Sequence, residues 1–199
     1  RRGSGSPWYI LGSHYDSRMV ADRDPDPARR SQPVPGANDG AATTAILLEL
    51  ARVLPTNLDK QVWLVFFDAE DQGDLPGWDW ILGSRVFVNG LQARPDGAII
   101  VDMVGDANLQ IYQERNSDPF LNQEIWDVAT AAGFSQFIPQ AKYSMLDDHT
   151  PFLQNHIPAI DLIDFDYPYW HTTQDTLDKI SSQSLYAVGE TLRLWLINP

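Results

Sequence analysis

Acidic residues and histidines follow strongly apolar runs, or sit in a tight turn, at five places in this chain. They are His14 and Asp16 after Ile10-Leu11, Asp39 in Gly36-Ala37-Asn38-Asp39-Gly40, Glu70 and Asp71 after Val65-Phe66-Phe67, Asp102 after Ile99-Ile100-Val101, and His171 after Tyr169-Trp170. Carboxylate and imidazole are the oxygen and nitrogen donors that hold zinc, and a catalytic zinc keeps one position open. The chain has no cysteine, which removes thiolate ligation and disulfides together. The residue types therefore point to a zinc-dependent enzyme.

Taken singly, each residue has a plainer reading. His14 and Asp16 are two apart, so they share one face of an extended segment. A metal-bound histidine commonly hands its other N–H to a carboxylate, but a surface pair has the same spacing. Asp39 either caps a helix or turns its two oxygens toward a metal centre, where it could bridge two ions. Glu70 and Asp71 are adjacent like charges that cost energy unless a cation or a proton offsets them, so one can ligate while the other handles protons. Asp102 alone reads as a strand-end cap and His171 as a packed histidine. Five such places along one chain favour a common site.

In an open α/β sheet, ligands bind outside the carboxyl ends of the strands, where residues far apart in sequence converge. The apolar runs predict strands over 8–11, 61–67, 98–101 and 159–163, with 61–67 a central strand covered on both faces. Helical spacing predicts helices over 41–54, 120–132 and 183–195. The alternation makes an α/β fold, and 199 residues without repeats or low-complexity stretches make one catalytic domain, 1–199. Its first strand starts almost at Arg1, so an upstream segment is expected. Residues 22–35 hold four prolines and read as a surface loop. Asp22, Asp24 and Asp26 alternate like the opening of a calcium loop, but Pro27 stands where glycine is required and Pro33 where glutamate is required.

Fourteen basic against 27 acidic residues give a formal charge of −13, which argues against nucleic acid or an anionic membrane as partner. No apolar run has the length of a membrane span, and the segment from Arg1 lacks the apolar core of a signal peptide.

The segments GSHYDS, PGANDGAA, FFDAED, VDMVG, DDHTPFL and YWHTTQDT resemble those of the M28 zinc aminopeptidase and glutaminyl cyclase superfamily, over Leu11 to about Asp178. The resemblance implies a central mixed, mostly parallel sheet with helices on both faces. By analogy with the two-zinc aminopeptidases, His14, Asp39 and Asp102 would hold one ion and Asp39, Asp71 and His171 the other, with Glu70 as general base. By analogy with the cyclases, a single zinc would sit on Asp39, Asp71 and His171, while Glu70 shuttles a proton assisted by Asp102 and Asp147. Two residues tilt the resemblance toward the cyclases: Asp147, where aminopeptidases tend to have serine, and Trp170, whose indole would wall a glutamine pocket. His14 and Asp102 keep a second metal site open, and Asp71 is one methylene shorter than the glutamate commoner in the superfamily.

The expected activity is conversion of an N-terminal glutamine to pyroglutamate with release of ammonia. The alternatives are a di-zinc aminopeptidase and, third, a binding module that kept the fold but lost catalysis; the retained ligand positions argue against the last. The substrates would be peptide or protein N-termini, and the protein a monomer, with an extracytoplasmic location favoured by the resemblance. Trp78, with Trp80, either walls the pocket or packs on the core. His149 is expected to give a supporting hydrogen bond and His156 to be a solvated loop residue. Asp164 and Asp166 lie near the His171 loop without an assigned role.

Overall fold

A computed structural model describes residues 1–198. Four strands, β1 (Trp8–His14), β2 (Gln61–Phe67), β3 (Gly97–Asp102) and β6 (Ala159–Ile163), form one sheet in the order β2-β1-β3-β6. Every ladder in it is parallel; antiparallel pairing is reduced to single bridges at Arg2–Val62 and Asp106–Ile180. Two short strands, β4 (Ile111–Gln113) and β5 (Phe137–Ala141), pair separately.

Successive strand residues point to opposite faces, and both faces are apolar here. Leu11, Ile99, Val101, Ile160 and Leu162 pack with α1 (Thr43–Val53), α3 (Pro119–Ala131) and α5 (Ser182–Ile197). Ile10, Ala98, Ile100 and Ala159 pack with α2 (Leu82–Asn89) and α4 (Thr150–Gln154) through Val88 and Phe152. Full burial of each such Leu, Ile or Phe is worth about 1.5–3 kcal/mol. Helices thus cover both faces, as an α/β sheet requires.

The structure corrects several boundaries. β1 runs on to His14, three residues past the apolar stretch. β2 is an edge strand and not a central one, because an apolar run records coverage of its two faces and is blind to whether its outer ladder is paired. α1 begins at Thr43, after the turn Ala37–Ala42. α2 and α4 escape the periodicity: α4 is five residues long, and α2 is entered from Ile81, an N-cap in a left-handed conformation (φ 56°) that makes no side-chain cap.

With all four strands parallel, their carboxyl ends lie along one rim. The chain moves from β1 to β2 on one side and then to β3 on the other, and this reversal opens a crevice between β1 and β3.

Candidate active site

The β1–β3 register pairs Gly12 with Ile100, and two residues further on it brings His14 to Asp102. His14 Nε2 lies 3.0 Å from Asp102 Oδ1 and 3.2 Å from Asp39 Oδ1, with His14 1% exposed. Its Nδ1 is 3.1 Å from the Asp16 carbonyl oxygen and 3.5 Å from Asp16 Oδ1. Asp16 is therefore behind His14, but its carboxylate has another duty. It accepts the backbone N–H groups of Glu70 and Asp71 (3.1 and 3.2 Å) and the Gln72 side-chain amide (2.9 Å), which fixes the turn leaving β2. Burial opposes that charge, but His14, Gln72 and the Glu70 N–H outweigh it and hold Asp16 at about 2.

Asp39 is not a cap. The N–H groups of Asn38 and Asp39 donate to Asp175, 2.9 and 3.2 Å away, which leaves the Asp39 carboxylate free to face the crevice. Asp175 is a residue that sequence reasoning missed; it lies within the YWHTTQDT segment. Gly40 lets the turn press on His14: a Cβ there would lie 2.7 Å from the ring Cε1 and 2.8 Å from Nε2.

His171 Nε2 approaches Asp71 Oδ1 at 2.7 Å and Asp39 Oδ2 at 3.7 Å. The imidazole is flanked by Trp170, with ring centroids 3.8 Å apart, and by Trp80 at 6.1 Å and nearly parallel. Trp80, not Trp78, lines the cavity. Trp78 is 42% exposed, in a turn where Asp74 and Gly77 have positive φ. Its neighbour two residues on turns inward because Gly73 gives it room; a Cβ on Gly73 would lie 2.0 Å from Trp80 Cδ2. Three non-glycine residues at the rim, Ala69, Met103 and His171, hold φ between 47° and 55°. Left-handed backbone costs roughly 1–2 kcal/mol per residue, so the rim stores strain where side chains must be aimed.

Asp39, Glu70, Asp71, Asp102 and Asp147 all face one cavity of about 200 Å³, whose apolar walls include Trp80, Trp170 and Phe165. Burial pushes Glu70 well above the ordinary carboxylate range, with Asp147, Asp148 and Asp71 adding to it against the pull of His14. Asp71 is raised by burial and then by Asp39. Burial lifts Asp102 to about 7 despite its contact with His14, and raises Asp147 despite the pull of His149. Burial also lowers His171 to about 4, which keeps its imidazole neutral, the form that ligates.

Among the described residues, two groups place one donor atom per residue within 4.8 Å of one another: His14, Asp39 and Asp102; and Asp39, Asp71 and His171. Asp39 Oδ2 and Asp71 Oδ2 are buried without a hydrogen-bond partner. Buried, unpartnered carboxylate oxygens are costly unless a cation meets them, so the donor set fits a divalent metal of the zinc type.

Other expected residues lie apart. His149 is completely buried, and neither ring nitrogen makes a hydrogen bond; Glu114 Oε2 is 3.4 Å from one and Asp161 Oδ2 3.7 Å from the other. It therefore does not supply the expected hydrogen bond, because its ring is turned into this buried pair. His156 is exposed. Asp22 pairs with Arg18, Asp24 accepts from Thr173 and the Asp26 N–H, and Asp26 caps Ala28, so the three form no calcium cradle. Asp164 accepts the N–H groups of Gln110 and Asp166, and burial lifts it to about 6. Asp166 pairs with Lys142.

Known proteins share this arrangement of strands. A leucine aminopeptidase precursor from Bacteroides thetaiotaomicron is 32% identical and superposes with a TM-score of 0.91, covering 98% of this chain and 73% of its own. Porphyromonas gingivalis glutaminyl cyclase is also 32% identical, with a TM-score of 0.90 over 96% of this chain and 73% of its own. The glutaminyl-peptide cyclotransferase of Boiga irregularis is 24% identical over 94% of this chain; the chain spans 61% of that curated relative's length. The sequence pattern of peptidase family M28 runs through residues 1–196, and with the fold and both donor groups in place, this chain belongs to that family.

Proposed function

We propose that the protein is a zinc-dependent glutaminyl cyclase that holds one ion on Asp39, Asp71 and His171. The observation that carries this reading is the pair of unpartnered oxygens, Asp39 Oδ2 and Asp71 Oδ2, beside His171, in a cavity that also receives Glu70, Asp102 and Asp147. Similarity to the P. gingivalis glutaminyl cyclase supports it. When bound, zinc supplies a Lewis acid that polarises an amide oxygen.

The chain's own residues do the rest. Glu70, a carboxyl that burial raises well above its ordinary range, takes a proton from the α-amine of an N-terminal glutamine and returns it to the departing nitrogen. The new bond joins the α-nitrogen to the δ-carbon, the carbonyl carbon of the side-chain amide; the bond from that carbon to the amide nitrogen breaks, and ammonia leaves. Asp102 and Asp147 share protons with this network and receive hydrogen bonds from the carboxamide nitrogen. Trp80 and Trp170 wall the site and limit water, which would otherwise turn cyclisation into hydrolysis.

A second reading, a two-metal aminopeptidase, draws on the His14–Asp39–Asp102 group and on similarity to the B. thetaiotaomicron protein. Incubation with a Gln-initiated and a Leu-initiated peptide, combined with metal analysis, decides between them. Pyroglutamyl peptide and ammonia without free leucine are expected. Free leucine without pyroglutamate overturns the cyclase reading.

A further inference from the structure

The segment Arg18 to Arg23 lies outside the ligand set, yet it contacts His171 and its neighbours. Asp22 Oδ1 is 3.6 Å from His171 Nδ1, the ring nitrogen that faces away from Asp71. Asp22 itself is 39% exposed, so burial does not fix its carboxylate; Arg18 does. The Arg18 guanidinium is 2% exposed and donates to both oxygens of Asp22, Nε to Oδ1 at 2.9 Å and a terminal nitrogen to Oδ2 at 2.8 Å. The same guanidinium donates to the backbone carbonyls of Asp71 (2.8 Å) and Gly73 (3.1 Å).

Both arginines of the segment also cover the indoles beside the imidazole. Arg18 lies over Trp80 at 4.9 Å and Arg23 over Trp170 at 5.4 Å, while the Arg23 N–H donates to the His171 carbonyl. A planar five-donor fork can join a carboxylate, two carbonyls and an aromatic face in a way that a lysine cannot.

From this geometry we propose that Asp22, held by Arg18, is a positioning residue for His171. At 3.6 Å the two are just beyond hydrogen-bond distance in this structure; in the zinc-loaded protein Asp22 would close on the Nδ1–H, so that Nε2 carries its lone pair toward Asp39 and Asp71. The inference rests on the reading of His171 as a metal ligand. Carboxylates placed behind metal-bound histidines set the tautomer and ring direction, and their loss weakens metal binding by roughly 10- to 100-fold. Here the same arginine holds the backbone of Asp71, so the orientation of one ligand is tied to the position of another.

The test is zinc affinity by chelator competition in wild type, Asp22→Ala, Asp22→Asn and His171→Ala, together with the melting temperature of each metal-free protein and ring-15N NMR of the zinc-loaded forms. Asp22→Ala is expected to weaken zinc binding by roughly 10- to 100-fold with little change in metal-free melting. Asp22→Asn, whose Oδ1 still accepts the Nδ1–H, restores most of the affinity. Zinc-loaded wild type shows a protected His171 Nδ1 proton that Asp22→Ala loses. Should Asp22→Ala fail to fold, the wild-type resonance and Asp22→Asn carry the test. Wild-type affinity in Asp22→Ala, equal losses in both Asp22 variants, or no protected proton in wild type overturns the inference while leaving the ligand reading intact. Zinc affinity that survives His171→Ala overturns both.

Discussion

His14 Nε2 stands 3.0 Å from Asp102 Oδ1 and 3.2 Å from Asp39 Oδ1, so the donors of one candidate metal group already satisfy one another. The neighbouring group is joined as well, His171 Nε2 to Asp71 Oδ1 at 2.7 Å, but it also leaves Asp39 Oδ2 and Asp71 Oδ2 unpartnered. The expected stoichiometry is therefore about one zinc per chain, as in an open three-ligand site. His171→Ala should lose that ion and all activity, whereas His14→Ala should keep the ion. Emission spectroscopy on dialysed protein measures both. Two ions in wild type, falling to one in His14→Ala, would favour the two-metal reading.

Glu70 faces the cavity but belongs to neither donor group. Glu70→Gln keeps its shape and removes the base, so zinc content should hold while turnover falls by roughly 10²- to 10⁴-fold. Zinc content and steady-state rate, measured on one preparation, decide this. Loss of the metal along with the rate would make Glu70 a ligand.

Asp147 is buried on the cavity wall and belongs to neither donor group. Asp147→Ala should leave zinc bound and cut ammonia release from a Gln-initiated peptide by roughly a hundredfold, the lower range for removing a group that stabilises a transition state. An unchanged rate would remove Asp147 from the mechanism.

Gly73→Ala tests the aromatic wall. The added methyl would meet Trp80 at the base of its ring, where the side chain cannot swing clear. Overpacking of this kind costs about 1–3 kcal/mol, and a displaced wall should lower kcat/KM by up to about a hundredfold. Thermal melting and kinetics report the two effects, and a variant matching wild type in both would show that the indole does not shape the site.

Asp164 gives the stability a pH dependence. Burial lifts its folded pKa to about 6, above the roughly 3.9 of an unfolded aspartate, so between these values the native state binds the extra proton. Its contribution is then most favourable at low pH and is lost as pH rises through 6. Wild type should lose about 1 kcal/mol relative to Asp164→Asn between pH 5 and 7. Paired denaturant titrations at the two values measure this, and parallel curves would contradict it.

The four sheet strands and three of the helices were legible in the sequence because a strand covered on both faces leaves a continuous apolar run and a helix with one apolar stripe a period-3.6 record. All the metal donors could be read as well, since each follows such a run or sits in the Asn38-Asp39-Gly40 turn. What sequence could not supply was direction within irregular turns. The choice between Trp78 and Trp80 depends on positive φ at Asp74 and Gly77 and on the space above Gly73. Asp175 and Arg18 were missed for a related reason: the contacts that tie them to the site are to backbone groups far along the chain, and backbone acceptors and donors have no letter in the sequence.

The outer ladder of β2 is engaged, among the described residues, only where Arg2 bridges Val62, and Phe66 beyond that bridge is 36% exposed. An unpaired edge is a template for another strand, and one safeguard against pairing with a second copy of this chain is mutual repulsion from its net charge of −13. That safeguard is electrostatic and therefore shielded by electrolyte, since the Debye length falls from about 30 Å at 0.01 M to about 10 Å at 0.1 M. Colloidal behaviour should follow: light scattering from concentrated solutions of this chain rises with added sodium chloride, and Phe66→Lys, at the exposed position of that edge, suppresses the rise.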